Sequence, residues 1–325
     1  MMGLMKLTLI VGLIGVIVFG CSNDIKESTK EIPSEINKGI YVYFSPRDNC
    51  ESVFLDLINS SRRYIHCAFF DVNLKSIIKA ISKKSKSIDV KVVIDDENCC
   101  KIKGQGVRQD TRKQYSHNKF CIIDGEIVIT GSMNPTYDGL FKNNNNLLVI
   151  YSRYLARNYE DEFMELWNGL FGSGEKVRYP IIYLNGYKVE NYFCPEDKCS
   201  EHIIREISNA NRSIYFMVFS FTNEEIADAI LFNEIVDVKG IFEKKNAFNR
   251  YSQYKRMKGF GYDLRLSNSR GIMHHKVFII DNKTIITGSM NPTKSGDTKN
   301  DENILIIHNE KIAKKYVKEF IELFK

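Results

Sequence analysis

Two histidine–lysine pairs stand out for the chemistry they could do: His117 with Lys119, and His274 with Lys276. One residue separates the members of each pair, so on a strand both side chains fall on the same face and can meet one ligand. Lysine supplies positive charge and imidazole a nitrogen that can attack or transfer a proton, a combination suited to a phosphate ester. Asn134 and Asn291 follow Gly-Ser turns and bring an amide donor to each set. Ser132 and Ser289, in those turns, could also touch phosphate, although the turn itself calls for small residues. Asp124 and Asp281 sit at strand ends before turns, where carboxylates cap or pair, and are expected to be supports.

The two sets belong to a duplicated unit. Residues 130–136 recur residue for residue at 287–293, 157 positions on, the spacing that also separates His117 from His274. Upstream, residues 43–50 are mirrored by 192–199. Each copy alternates strand-like and helix-like stretches, with β-rich runs at 64–70 and 214–219 and further strands at 90–94 and 236–242. Closing helices are predicted over 153–170 and 311–324. This alternation predicts an α/β fold, a mixed sheet covered by helices on both faces in each copy. The expected boundaries are 39–172 for the first repeat, 173–186 for a linker and 187–325 for the second repeat.

The pattern His-x-Lys-x4-Asp-x6-Gly-Ser-x-Asn is complete in both copies and resembles that of the phospholipase D superfamily, over residues 39–325. The resemblance implies tandem βαβ-rich domains forming a pseudo-twofold internal dimer, with one active site between them and neither metal nor other cofactor. It implies that one histidine attacks phosphorus to form a phosphohistidine, while the other protonates the leaving oxygen and then activates water. It further implies that the residue 28 places after each histidine bonds that histidine's ring, Asn145 serving His117 and Glu302 serving His274. A carboxylate partner favours imidazolium, whereas an amide orients the ring without holding its proton. On that pairing His117 is the expected nucleophile and His274 the expected acid/base.

Lys6, an apolar run at 7–19 and Gly20-Cys21 form an export signal, since thirteen residues are too few to span a bilayer comfortably. The segment resembles a bacterial lipoprotein signal, which makes Cys21 the expected lipidated residue; the bulk of Phe19 leaves an uncleaved membrane anchor as the alternative. Polar residues 22–38 are expected to be a flexible tether outside the fold. The expected location is therefore extracytoplasmic and membrane-tethered, periplasmic or at the cell surface. In such a compartment Cys194 and Cys199 could close a disulfide, and Cys50 could reach Cys99 or Cys100. Cys67 and Cys121, inside apolar runs, are expected to be buried thiols. A zinc site is not expected, because no histidine cluster completes the Cys194–Cys199 pair.

The remaining candidates receive ordinary roles. His275 should face away from His274 across its strand, and His66, His202 and His308 lack motif context. Phe69, Phe70, Phe219, Phe221 and Trp167 are expected in the core, and Lys83, Lys84 and Lys86 on a solvated helix end. A balance of 46 basic against 40 acidic residues decides nothing about the partner. Release of a phospholipid headgroup to leave phosphatidic acid is the expected reaction, with the membrane reached through the anchor and no protein partner required. A metal-independent nuclease is the alternative, and a non-catalytic phosphate binder comes third. A lipase predicts an apolar rim on the cleft, and a nuclease a basic groove longer than one phosphate.

Overall fold

Runs of β-branched residues alternating with amphipathic stretches build one unit twice in the computed structural model, which describes residues 31–98, 106–233 and 236–325. Cys21, Cys99 and Cys100 lie outside the described residues, and with them the expected lipid site and the expected partners of Cys50. After β1 (Ser34–Glu35), the first repeat runs β2 (Ile40–Ser45), α1 (Cys50–Ser60), β3 (Tyr64–Phe69), α2 (Lys75–Lys84), β4 (Asp89–Asp95), β5 (Val107–Asp110) and β6 (Lys119–Ile123). It closes with β7 (Ile127–Gly131), α3 (Tyr137–Phe141), β8 (Asn145–Tyr151) and α4 (Arg153–Asn168). Next come β9 (Ile181–Leu184), β10 (Tyr187–Cys194), α5 (Cys199–Ser208), β11 (Ser213–Val218), α6 (Glu224–Leu231), β12 (Asp237–Phe242) and α7 (Lys244–Ala247). The chain ends with α8 (Tyr254–Gly259), β13 (Asp263–Leu266), β14 (Lys276–Ile280), β15 (Thr284–Gly288), α9 (Lys294–Thr298), β16 (Glu302–His308) and α10 (Glu310–Leu323).

Each repeat makes one sheet with the same order. The first is β2-β8-β7-β6-β3-β4-β5; the second is β10-β16-β15-β14-β11-β12-β13, extended beyond β10 by β9 and β1. Pairing is parallel for β3 with β4 and antiparallel for β3 with β6, as for their counterparts β11, β12 and β14. Strand alternation gives every sheet two apolar faces. One face of each packs on its own first two helices, as where Ile65 of β3 meets Phe54 and Ile77. The other faces share a central core with α4 and α10, in which Phe120 and Ile122 of one sheet and Val277 and Ile279 of the other join Tyr159 and Tyr316. This shared core fixes the two sheets against each other and thereby sets where the strand ends carrying the motifs meet.

Three expectations are corrected here. Residues 34–38 are not tether: β1 pairs in parallel with β9, and buried Glu35 accepts hydrogen bonds from Ser152 Oγ and, at 3.1 Å, from the Arg153 amide at the start of α4. A carboxylate there complements the helix dipole. The supposed linker likewise contains β9, hydrogen-bonded to β10. Cys67 and Cys121 are not free thiols but a disulfide, because β3 and β6 place them directly opposite with Cα atoms 4.1 Å apart. Cys194 and Cys199 form the second disulfide, while Cys50 is a buried free thiol among the described residues. Among those residues no helix is long and apolar enough to cross a membrane.

Candidate active site

Both motifs begin just before a strand, β6 or β14, where the chain of one repeat touches the other repeat. The His117 amide donates to the Asp301 carbonyl at 2.9 Å, and the His274 amide donates to the Asn144 carbonyl at 2.8 Å. These are equivalent bonds across the pseudo-twofold axis, flanked by bridges between Ser116 and Asp301 and between Asn144 and Met273. The residue following each acceptor is the one expected to hold a histidine ring.

That contact exchanges the expected partners. His117 Nδ1 lies 2.8 Å from Glu302 Oε2, and His274 Nδ1 lies 2.9 Å from Asn145 Oδ1. Each histidine is thus served by the opposite repeat, and the same-repeat pairing expected from sequence spacing is wrong. The motif serines hold these partners: Ser289 Oγ donates to Glu302 Oε2 at 2.7 Å, and Ser132 Oγ donates to Asn145 Oδ1 at 3.1 Å. The Ser132 carbonyl also stands 3.1 Å from His274 Nδ1. A proton on Nδ1 of either ring is therefore directed to an acceptor, which leaves Nε2 as the nitrogen for chemistry.

Lys119 Nζ donates to the His117 carbonyl at 2.6 Å, and Lys276 Nζ to the His274 carbonyl at 2.7 Å. Each ammonium keeps further protons for an oxyanion. Burial, followed by the charges of the two lysines, pushes both imidazoles well below the ordinary histidine range. Burial lowers Lys119 to about 7 and lowers Lys276 strongly, with Lys119 adding to the effect on Lys276. Glu302 is raised by burial to about 8, against the pull of Lys119. Cations held this reluctantly favour an anion between them. The side-chain amides of Asn134 and Asn291 make no hydrogen bond to the histidines or lysines, and each has a buried oxygen without a partner.

Phe70 and Phe219, expected in the core, are half-buried against the histidines instead. Phe70 stacks edge-on to His117 and Phe219 edge-on to His274, both at 4.8 Å between centroids. Lys119 and Lys276 lie over the same two rings at 4.9 and 5.0 Å. The available signal was positional: each phenylalanine directly follows the strand beside its motif, in both repeats. Phe69 and Phe221 are core residues. Asp124 and Asp281 do not reach the histidines; Asp124 accepts from the amides of Arg62, Arg63 and Tyr64, and Asp281 from those of Arg212 and Ser213, tying the motif hairpin to the start of β3 or β11.

Behind the site a polar seam joins the repeats. Asn303 Nδ2 donates to Asn118 Oδ1 at 2.7 Å, and its Oδ1 accepts from Thr130 and Tyr159; Asn146 meets the equivalent Thr287 and Tyr316 in the opposite sense, its Nδ2 donating to both hydroxyls. His275 belongs to this seam, 3.3 Å from Asn146 Oδ1 and 3.5 Å from Glu319. His66 and His308 lie in separate ion-pair groups. Among the described residues two clusters bring ligand atoms close enough for a cation, Glu190, Glu206 and His308 in one and Glu162, Glu165 and Glu196 in the other, and neither includes a motif residue. Lys188 and Arg205 already neutralise Glu190.

A family model described as "Cardiolipin synthase, PLD-like domain" matches residues 54–167 and again residues 203–324. The chain belongs to the phospholipase D superfamily. Within it, a phospholipase D of Rickettsia felis is 31% identical over 166 residues, 50% of this chain and 83% of the relative. A mitochondrial cardiolipin hydrolase of Xenopus tropicalis is 30% identical over 130 residues, 37% of this chain and 62% of that protein. The phosphatidylserine synthase of Haemophilus influenzae shares the fold of both repeats, with a TM-score of 0.66 at 13% identity over 87% of this chain and 85% of that one. The chain is a phosphodiesterase hydrolase of this superfamily.

Proposed function

We propose that the protein is a phospholipase D that releases phospholipid headgroups, with His117 as nucleophile and His274 as acid/base. The observation that carries the mechanism is the Glu302 carboxylate on Nδ1 of His117. An acceptor at Nδ1 leaves the Nε2 lone pair free to attack, and the positive charge the ring acquires on bonding to phosphorus draws Glu302, held at about 8 by burial, into the ionised form that offsets that charge. The order first expected is kept, although with the partners exchanged the preference of a carboxylate for imidazolium would by itself make His117 the acid/base; the charge on the phosphorylated ring is taken to decide instead. The negative charge of the bound phosphodiester favours imidazolium at His274, so that as His117 Nε2 bonds to phosphorus and the bond to the headgroup oxygen breaks, His274 gives that oxygen the proton on Nε2. His274 then removes a proton from water, whose oxygen displaces His117 and leaves phosphatidic acid. Lys119, Lys276, Asn134 and Asn291 hold the non-bridging oxygens throughout.

A lipid substrate is supported by the naming of the Rickettsia felis relative as a phospholipase D. Export and tethering through Cys21 are part of the same proposal, supported by two disulfides, which persist in oxidising compartments. The test incubates the protein with phosphatidylcholine vesicles, cardiolipin vesicles, single-stranded DNA and RNA in EDTA. Headgroup release abolished by His117→Ala and by His274→Ala is expected. With a substrate carrying a nitrophenolate leaving group, His274→Ala should accumulate phosphoenzyme and His117→Ala none. The reverse pattern would exchange the two roles, and cleavage of nucleic acid with lipids untouched would make the protein a nuclease.

A further inference from the structure

Beside the catalytic cleft, one side of the mouth carries rings and cations that the chemistry does not use. α3 directly follows the Asn134 turn and leads into Asn145, the partner of His274. Its Tyr137 and Phe141 are 55% and 42% exposed. Facing it is the segment after β12, Lys244-Lys245-Asn246-Ala247-Phe248-Asn249-Arg250-Tyr251, where Phe248 and Tyr251 are 57% and 61% exposed. This segment is tied to the site: Asn246 donates to the Phe219 carbonyl at 2.9 Å, and Glu243 Oε2 accepts from the Met273 amide at 2.8 Å. Between α3 and the segment lies a recess of about 480 Å³, whose lining includes Lys142, Lys244, Lys245 and Arg270. Lys142 is paired with Asp138, whereas Lys244, Lys245 and Arg270 have no ion-pair partner among the described residues.

Duplication does not demand this surface. α9, the counterpart of α3, reads Lys-Ser-Gly-Asp-Thr and carries no ring. Phe232 and Phe260 are also exposed, but they precede the starts of β12 and β13, the sheet end away from Lys276. The distribution of the two chemistries separates the possible partners. A groove for single-stranded nucleic acid places aromatic rings among its cations, for stacking. Here the recess is lined by charged, polar and aliphatic residues with Tyr137, Phe141 and Phe248 outside it, while Tyr251 lines a neighbouring recess beside α6 and α9, where Glu224, Glu225 and Asp297 outnumber Lys294 and Lys299. Rings on a rim with unpaired cations beside them fit a lipid interface, where aromatics enter the boundary of headgroups and acyl chains and cations meet lipid phosphates.

We infer that this rim docks the protein on an anionic phospholipid bilayer, Tyr137, Phe141, Phe248 and Tyr251 entering the surface while Lys244, Lys245 and Arg270 bind its phosphates. The inference rests on the lipid-substrate reading above. The test uses the full chain, so that the N-terminal segment contributes equally to every variant. Substrates are soluble bis(p-nitrophenyl) phosphate and phosphatidylcholine vesicles with and without phosphatidylglycerol, with binding read by cosedimentation. Tyr137→Ser/Phe141→Ser/Phe248→Ser/Tyr251→Ser should keep activity on the soluble diester and lose at least roughly tenfold in binding to and hydrolysis of vesicles. Lys244→Gln/Lys245→Gln/Arg270→Gln should lose the preference for anionic vesicles, roughly fivefold per cation, together with its sensitivity to salt.

Variants that bind vesicles as the parent does, or that lose the soluble-diester activity in parallel, overturn the surface. Loss of nucleic-acid cleavage with vesicle binding intact overturns it in favour of a nucleic-acid face. A parent protein that cleaves the soluble diester but no vesicle lipid defeats the substrate reading separately, and cosedimentation of the same variants then still decides the surface.

Discussion

Glu302 and Asn145 occupy equivalent places in the two repeats and differ in charge, so the two histidines they serve are not equivalent. Replacing Glu302 by Gln keeps an acceptor for His117 Nδ1 but removes the charge that steadies the phosphorylated ring. A fall in kcat of about 10²-fold or more, with little change in KM, is expected for Glu302→Gln on a soluble chromogenic diester. Asn145→Ala should cost about tenfold, since the Ser132 carbonyl still stands 3.1 Å from His274 Nδ1. Equal losses in the two variants would remove the basis for assigning His117 as nucleophile. The motif residues themselves were legible, because their spacing along the chain is a local property, although β6 and β14 start only at Lys119 and Lys276 and leave the histidines just before them. The exchange of partners was not, since a spacing counted along one repeat says nothing of which histidine a neighbouring repeat will place opposite.

At the scale of elements, the repeat pattern anticipated most strands and helices, and the places it missed are those where pairing decides structure. β1 and β9 are short, and neither carries enough alternation to announce a strand; they form because β10 leaves an edge for β9, and β9 in turn one for β1. Cys67 and Cys121 lie in runs that read as apolar strands, and only the register of β3 against β6 sets them face to face. Their disulfide closes a loop with a sequence separation of 54 residues, removing that freedom from the unfolded chain. Cys67→Ala/Cys121→Ala should therefore lower unfolding free energy by about 2–4 kcal/mol in urea denaturation. The soluble-diester kcat should stay near that of the parent, because both sulfurs face the outer core shared with α1 and α2. An unchanged midpoint would mean that the bond does not form.

For the whole molecule, the cleft's charges couple stability to pH and to anions. Lys119 stands at about 7 when folded against 10.5 as a free side chain, so the unfolded chain binds more protons between those values and this lysine's penalty shrinks as pH rises through them. The buried acids act in the opposite sense. Glu302 at about 8, Asp301 at about 7 and Glu196 at about 7 all hold protons more tightly when folded, and the stability they confer fades as pH climbs from the ordinary carboxylate range through those values. A dianion in the cleft favours the charged lysine. Sulfate, a dianion across this range, should raise Tm more at pH 6 than at pH 9, its affinity weakening by up to about tenfold per pH unit above 7 for each proton taken up. In Lys119→Met that dependence should flatten; a parent protein with the same sulfate shift at both pH values would place the anion elsewhere.

The sequence by itself determined the duplication, the α/β class and the two His-Lys-Asn sets, because each is written in local spacing and repeated at a fixed interval. Tertiary structure alone decided which carboxylate or amide backs which histidine, that Cys67 meets Cys121, that Ser34 and Glu35 join the second sheet, and that Phe70 and Phe219 wall the site. The physical reason is the same in each case: these contacts join residues far apart in the chain, and their geometry follows from how two sheets settle on one shared core.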